Sequence, residues 1–521
     1  SYSGLHSEQR LAKPMIKKDG HWQESEWQEA LEYTVKQLQQ VITKQGAAQL
    51  GVLTSPNATT EACYLLQKLS RAIGCPNIDH RVQQTDFADQ ASAPLFYGSQ
   101  IPYADLEKQQ AILLIGSNLA QEQPLAAVRV RKAALQGAKV MAMNPIDYCF
   151  NFDSAEKVIC SPTALPSELA QVVKALSGEN LPSGADKLLA DIQASEIGKA
   201  IAQQLQAVEK AVIVLGALAM NHPQAALIRS LVQLLAKSSG AEIIYMTQGA
   251  NSAGATLAGA VPHRLVGGKV SSQVGLDAHA MLQKKLKAYL LLDLEPELDC
   301  ADPHRALLAM QQAEFVVCLS AFQTPTMADY ADVILPIAAF SEDAGTYVNV
   351  EGQWQSFTAA VKPYEQARPA WKILRVLANL LEVPGFDYNH SAEIKADVEA
   401  QLAETIFKPQ DGYDPQVMTN PEQGLTRIGE WMMYGSDGLV RRAQALQDSA
   451  ANVPIAARFS PQTAEQYNLS AGDTVKLGQH EQTIELPVII DERLAVGCVC
   501  LPCGLTATMN LGASFAQVEV K

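Results

Sequence analysis

No apolar stretch in this chain of 521 residues approaches the ~18 residues that a membrane-spanning helix needs. The longest apolar run, Ala211 to Met220, reads as a buried strand with its turn, so direct membrane insertion is not expected. A basic tract is also missing. The net charge is -15, and without the cationic footprint of a phosphate-backbone binder a nucleic-acid partner is disfavoured. No signal-peptide pattern opens the chain. It starts Ser1-Tyr2-Ser3 without Met, which fits a processed product or a C-terminal part of a longer chain. The nine cysteines are mostly scattered singly in apolar settings, as reduced cytoplasmic thiols usually are. The nine histidines do not cluster, and HxxH, HExxH and GxSxG patterns are absent.

What is present is an ordinary globular composition, 48% hydrophobic and 18% charged, enough for about three or four domains. After a polar lead, apolar residues at Trp27, Leu31, Val35, Leu38 and Ile42 predict an amphipathic helix that stops at Gly46. Short apolar strands follow at Leu50–Leu53, Ala111–Ile115, Lys139–Met143 and Val158–Cys160, with helices at Thr60–Ile73 and Gln123–Gln136 between them. Leu181-Pro182-Ser183-Gly184 breaks this pattern. It restarts with strands at Ala211–Leu215, Glu242–Met246, Ala288–Leu292, Phe315–Leu319 and Val333–Leu335, and helices at Pro223–Lys237 and Pro369–Leu381. Alternating strands and helices of this length imply parallel sheets with crossover helices. A connector rich in Asp, Asn, Pro and Gly follows, with one helix over Ala392–Ile406. The last segment has short strands, turns and one small helix, the pattern of a compact β-barrel. The expected domains are 1–46 (lead and helix), 47–190 (first α/β), 191–385 (second α/β), 386–430 (connector) and 431–521 (barrel).

Three segments carry a family resemblance. Thr324–Pro336 reads TPTMADYADVILP, Gly345–Phe357 reads GTYVNVEGQWQSF and Arg368–Leu381 reads RPAWKILRVLANLL. The first, with the acidic turn after it, resembles the third domain of molybdopterin-dependent oxidoreductases. The other two resemble the molybdopterin-oxidoreductase-like part of the G subunit of bacterial NADH-quinone oxidoreductase (respiratory complex I). The lead from Arg10, RLAKPMIKKDGHWQESEWQEALEY, resembles the segment that follows the iron–sulfur region in both, and Pro461–Val475 resembles their C-terminal double-psi barrel. The resemblance implies doubly wound parallel-sheet domains closed by that barrel. The two parents imply different functions: an enzyme with a molybdenum or tungsten centre, or a structural body of the complex I peripheral arm. The second would dock on other peripheral-arm subunits, on the cytoplasmic side of the inner membrane. Its redox work would fall to iron–sulfur clusters outside this stretch, with no cofactor here. Molybdopterin is expected only on the first.

In an open α/β sheet, ligands lie beyond the carboxyl ends of the strands. Gly116-Ser117-Asn118 follows one strand, Asn144 another, and Gly249 and Asn251 lie in a small-residue loop after a third. By resemblance these positions, with Thr324 and Asn349, belong to the loops that hold pterin dinucleotides in the active enzymes. On the residues alone, Gly and Asn equally make tight strand-to-helix turns. A small-molecule or nucleotide binder using these loops without molybdenum is a third reading.

Other features weigh against a cofactor. Asp293, Glu295, Glu297 and Asp299 place four carboxylates in seven residues, and near them a phosphate would be repelled by about 3 kcal/mol per contact at ~5 Å and an effective dielectric of ~20. The run otherwise reads as a solvated acidic loop. The active enzymes carry a metal-ligating residue after an NxDxxxRxC-type segment. Here Asn77-Ile78-Asp79-His80 is followed by Thr85 and Asp86 with no cysteine, and Asp86 otherwise reads as a helix cap. Gly352-Gln353 stands where active relatives often carry an arginine pair. The family's four-cysteine iron–sulfur run is missing; Cys63 and Cys75 are too far apart to share a ligand loop. Cys498, Cys500 and Cys503 alone have metal-like spacing. A strand would put Cys498 and Cys500 on one face, where three thiols could take a soft metal or simply fill an apolar core. No catalytic residue is expected.

Overall fold

The computed structural model describes residues 2–176, 184–402, 424–450 and 452–521. The chain divides into two compact units, one of Ser1–Gln83, Gly249–Lys408 and Tyr434–Asn452, the other of Gln84–Gln248, Pro409–Met433 and Val453–Lys521.

The first unit is built on a seven-stranded sheet. Leu50–Thr54 lies between Ile78–Asp79 and Ala288–Leu292, and beyond the latter come Phe315–Ser320 and Val333–Pro336, all parallel. The central strands are continuous apolar runs because helices bury both faces. Trp27–Gln45, Thr60–Ala72 and Ala370–Leu380 pack on one face through Leu31, Leu38, Leu65, Leu69, Ile373 and Leu377. The helices Ala278–Lys284 and Pro303–Gln311 cover the other through Met281, Leu282, Ala306 and Met310. The hairpin of Met15–Lys18 and His21–Glu24 extends the edge antiparallel to Val333–Pro336. The sequence suggests only a polar lead there, since the second strand exposes His21, Gln23 and Glu24 and alternates no apolar residues.

The second unit holds an all-parallel five-stranded sheet in the order Glu156–Ile159, Lys139–Asn144, Ala111–Ile115, Ala211–Leu215, Glu242–Tyr245. It also holds a closed barrel of six strands: Leu425–Ile428, Cys498–Cys500, Ala457–Phe459, Gln482–Ile490, Thr474–Gln479 and Gln517–Val520. Phe459, Leu477, Val499 and Leu501 are in the barrel core.

The chain does not follow consecutive domain boundaries. Leu50–Thr54, expected with the first α/β domain, pairs with Ala288–Leu292. Leu425–Ile428, expected in the connector, pairs with Cys498–Cys500 inside the barrel, and Tyr434–Asn452, expected in the barrel domain, belongs to the first unit. Local apolar runs reveal how many strands exist; which strands become neighbours is set by pairing across the whole chain. The helix expected over 392–406 is observed as Ser391–Leu402, and its last expected turn and most of the break at 181–184 lie outside the described residues.

Candidate functional site

In each sheet the chain leaves one central strand in one direction and returns beside it to go the other way, and that reversal opens a crevice at the carboxyl ends. In the second unit the reversal lies between Ala111–Ile115 and Ala211–Leu215. Two glycines allow the two ends to approach. Gly116 has φ +55°, and a Cβ there would lie 2.4 Å from the Ala219 nitrogen; a Cβ on Gly216 would lie 2.4 Å from the Ser117 Cα. The Ser117 N–H donates to Asn144 Oδ1 at 2.7 Å, and Asn144 Nδ2 donates back to the Ser117 carbonyl at 3.4 Å. The Asn118 N–H donates to Glu122 Oε1 at 2.8 Å, and the Ala217 N–H to Glu122 Oε2 at 3.0 Å. Asn118 Nδ2 donates to Glu430 Oε1 at 3.2 Å, and Glu430 accepts from Arg458 at 2.8 Å. Gly116, Ser117, Asn118 and Asn144 are thus brought together. Desolvation pushes the Glu122 carboxyl up to about 7, against the two amides that pull it down.

In the first unit the reversal lies between Leu50–Thr54 and Ala288–Leu292. Asn251, fully buried, uses both ends of its amide: Oδ1 accepts from the Val348 N–H at 2.8 Å and from Thr60 Oγ1 at 3.2 Å, and Nδ2 donates to the Ala58 carbonyl at 2.7 Å. Gly249 abuts Pro56, with no room for a Cβ. Asn349 turns the hairpin of Gly345–Val348 and Trp354–Phe357, its Oδ1 accepting from the N–H groups of Glu351 at 3.0 Å and Gln353 at 2.9 Å. Thr324 stands apart as the cap of the helix Pro325–Tyr330, accepting from the Met327 N–H at 2.8 Å.

The acidic run corrects the expectation of a solvated loop. Only Asp293 faces outward, at φ 51°; Glu295, Glu297 and Asp299 are buried. Arg441 reaches Glu295 Oε2 and Asp299 Oδ1, both at 2.9 Å, and Arg442 reaches Glu295 Oε1 at 2.7 Å. Glu297 accepts from Tyr330 Oη at 3.0 Å, and burial beside Glu295 pushes it up to about 7. The compensating cations lie some 140 positions later, beyond any local reading of charge.

Around the segment where active enzymes ligate their metal, Asp79 is buried and paired with Arg81 at 2.8 Å. Asp86 accepts from the Ala226 N–H at 2.8 Å, in the first turn of the helix Ala225–Ser239, the role of a cap. Thr85 Oγ1 is buried without a partner among the described residues. Cys498 and Cys500 face one side of their strand, next to Ile146 and Ile428, with Val499 turned into the barrel. Cys500 Sγ accepts from Arg458 at 2.9 Å, whereas Cys503 Sγ meets Arg427 at 3.3 Å and Ser514 at 3.4 Å. Among the described residues no group of three or more His, Cys, Asp or Glu could hold a metal ion.

A dinucleotide needs donors that can turn to it. In these loops the amides of Ser117, Asn118 and Ala217 and the side chains of Asn144 and Asn251 are engaged by the chain itself. As arranged they do not fit one. Sequence reasoning missed Glu122, Glu430, Arg458 and Arg441, because each acts through a residue distant in sequence or, for Glu122, through a turn that carries no apolar periodicity.

Residues 10–380 match the model of the molybdopterin oxidoreductase family. The chain is 25% identical over 478 residues to the G subunit of NADH-quinone oxidoreductase from Mycobacterium bovis, covering 85% of this chain and 55% of that protein. To the G subunit from Streptomyces coelicolor it is 26% identical over 547 residues, covering 93% and 60%. A Staphylococcus aureus protein provisionally named a formate dehydrogenase is 25% identical over 459 residues, covering 76% and 46%. The chain thus spans about half the length of the curated relatives it matches. The solved structure of acetylene hydratase from Pelobacter acetylenicus superposes with a TM-score of 0.73 over 97% of this chain and 86% of that one, at 17% identity, a likeness of fold. The chain belongs to the molybdopterin oxidoreductase family.

Proposed function

We propose that this chain is a non-catalytic structural part of the G-type subunit of NADH-quinone oxidoreductase. It supports electron transfer from NADH to quinone, which is carried by iron–sulfur clusters outside these residues. Its partners are other subunits of the peripheral arm, on the cytoplasmic side of the bacterial inner membrane. The single observation that carries this reading is Asn251. It sits in the loop that by resemblance faces the pterin, and its amide is engaged at both ends, Oδ1 by Thr60 and Val348 and Nδ2 by Ala58, so it ties the loop to the fold. Function resides in the site and not in the fold, and these loops act as structure. Among the described residues no helix is long and apolar enough to cross a membrane.

The orphaned Thr85 hydroxyl favours a second reading, a molybdopterin enzyme whose ligand completes that position. Metal and pterin content of the purified chain separates the two. The structural reading expects neither molybdenum nor tungsten, no pterin fluorescence after oxidation, and co-purification with the other subunits. Stoichiometric metal with pterin overturns it.

A further inference from the structure

The crevice of the second unit holds a carboxyl group of its own, that of Glu122. Both carboxylate oxygens of Glu122 are gripped by backbone N–H groups from the two facing strand ends, Asn118 at 2.8 Å and Ala217 at 3.0 Å, and Ser117 Oγ stands 3.5 Å from Oε2. The two amides converge because Gly116 and Gly216 let the ends touch, with the Leu218 N–H donating to the Gly116 carbonyl at 3.0 Å and the Gly216 N–H to the Ile115 carbonyl at 2.9 Å. In an open parallel sheet this reversal between neighbouring strands is where phosphoryl groups are held by backbone amides. A carboxylate and a phosphoryl group make the same demand, two or more acceptor oxygens with negative charge. Here Glu122 meets it from within the chain.

We propose that this crevice is an oxyanion-binding site whose resident ligand is the carboxylate of Glu122, and that this side chain is what keeps a phosphoryl group out of an otherwise intact cradle. The inference deepens the structural reading: the strand ends and their glycines remain, and one side chain fills the place. No change in the sheet is needed to exclude a dinucleotide. Glu430, held by Arg458 and Asn118, adds a second carboxylate near the same place and reinforces the exclusion of an external anion.

The test compares wild type with Glu122→Ala and Glu122→Gln, using inorganic phosphate and acetate as probes. Removing the side chain leaves two amides unpartnered and opens room beside them. Glu122→Ala should melt lower than wild type and regain about 2–4 °C at a probe concentration ten times its dissociation constant, while wild type does not respond. A response to phosphate marks a cradle of phosphoryl type, a response to acetate one of carboxylate type, and either supports the proposal. A folded Glu122→Ala that responds to neither, or a wild type that responds equally, overturns it. Should Glu122→Ala not fold, Glu122→Gln decides. It keeps the shape but has one acceptor oxygen, so hydrogen exchange at Asn118 or Ala217 should speed up at least about tenfold. Unchanged protection at both overturns the proposal. Metal and pterin content of the wild-type chain tests the structural reading separately, since pterin there would sink that reading whatever the variants do.

Discussion

The carboxylate of Glu61 takes both donors of Thr346: the backbone N–H at 2.9 Å and the hydroxyl at 2.7 Å, 285 residues away in the chain. Glu61 lies in the first turn of the helix Thr60–Ala72 and is 1% exposed. Burial raises its carboxyl above the ordinary range, ahead of the Thr346 bonds that lower it. This clamp fastens the GTYVN hairpin to the helix that follows Leu50–Thr54. Thr346→Val removes the hydroxyl and leaves a buried carboxylate oxygen without that partner. The expected loss is about 1–3 kcal/mol, read from chemical denaturation; an unchanged midpoint would show that Glu61 is not anchored there.

Gly345 tests the same contact by volume. The acidic turn suggests a glycine at positive φ, but Gly345 is not among the residues with positive φ. Its requirement is space. A Cβ would lie 2.5 Å from Thr59 Cγ2 and 3.1 Å from Glu61 Oε2. Gly345→Ala should therefore cost about 1–3 kcal/mol through overpacking. A melting temperature equal to that of wild type would count against this account.

Arg441 neutralises a buried pair of acids, Glu295 and Asp299, at 2.9 Å each. Losing one partner of a buried ion pair costs about 3–5 kcal/mol, since the charge left behind is neither solvated nor paired. Arg441→Ala should lose that much. Combining it with Asp299→Asn should recover part of the loss, because Arg442 still pairs with Glu295 at 2.7 Å and Asp299 is the acid left without its cation. Equal stability of the single and double variants would mean that Asp299 carries no stranded charge once Arg441 is gone.

These residues also mark what a sequence can reveal. The strands Ala111–Ile115, Ala211–Leu215 and Ala288–Leu292 are legible to the residue, because strands buried on both faces are unbroken apolar runs. The hairpin Met15–Lys18 and His21–Glu24 is not, because an edge hairpin with one exposed strand carries no such run. Pairing order escapes for another reason: Leu50–Thr54 finds Ala288–Leu292 across more than two hundred residues. At the candidate site, Asn118 and Asn251 are visible as loop residues after strands. Their engagement by Glu122 and Val348 depends on distances that no local pattern encodes. The acidic run shows the limit most plainly, since its solvation reverses once Arg441 and Arg442 arrive.

His222 supplies a pH dependence whose sign can be worked out. It is buried, Nε2 lies 2.8 Å from the Pro162 carbonyl, and Nδ1 accepts from the Gln224 N–H at 2.9 Å. One nitrogen donates and the other accepts, so the ring is neutral with its proton on Nε2. Burial lowers its pKa from 6.5 to about 4, and the Pro162 carbonyl offsets this only in part. The unfolded chain takes up a proton near the ordinary value and the folded chain only near 4. Between these limits the unfolded state binds more protons. The stability that depends on neutral His222 is therefore complete above the ordinary value and is lost as the pH falls toward 4, at about 1.4 kcal/mol per pH unit. Protonation would also place a second donor at Nδ1 against the Gln224 N–H. Denaturation curves between pH 4 and 7.5 should show this slope in wild type and a shallower one in His222→Gln, whose side chain does not titrate. Parallel curves for the two proteins would mean that the imidazole is protonated as readily inside the fold as outside it.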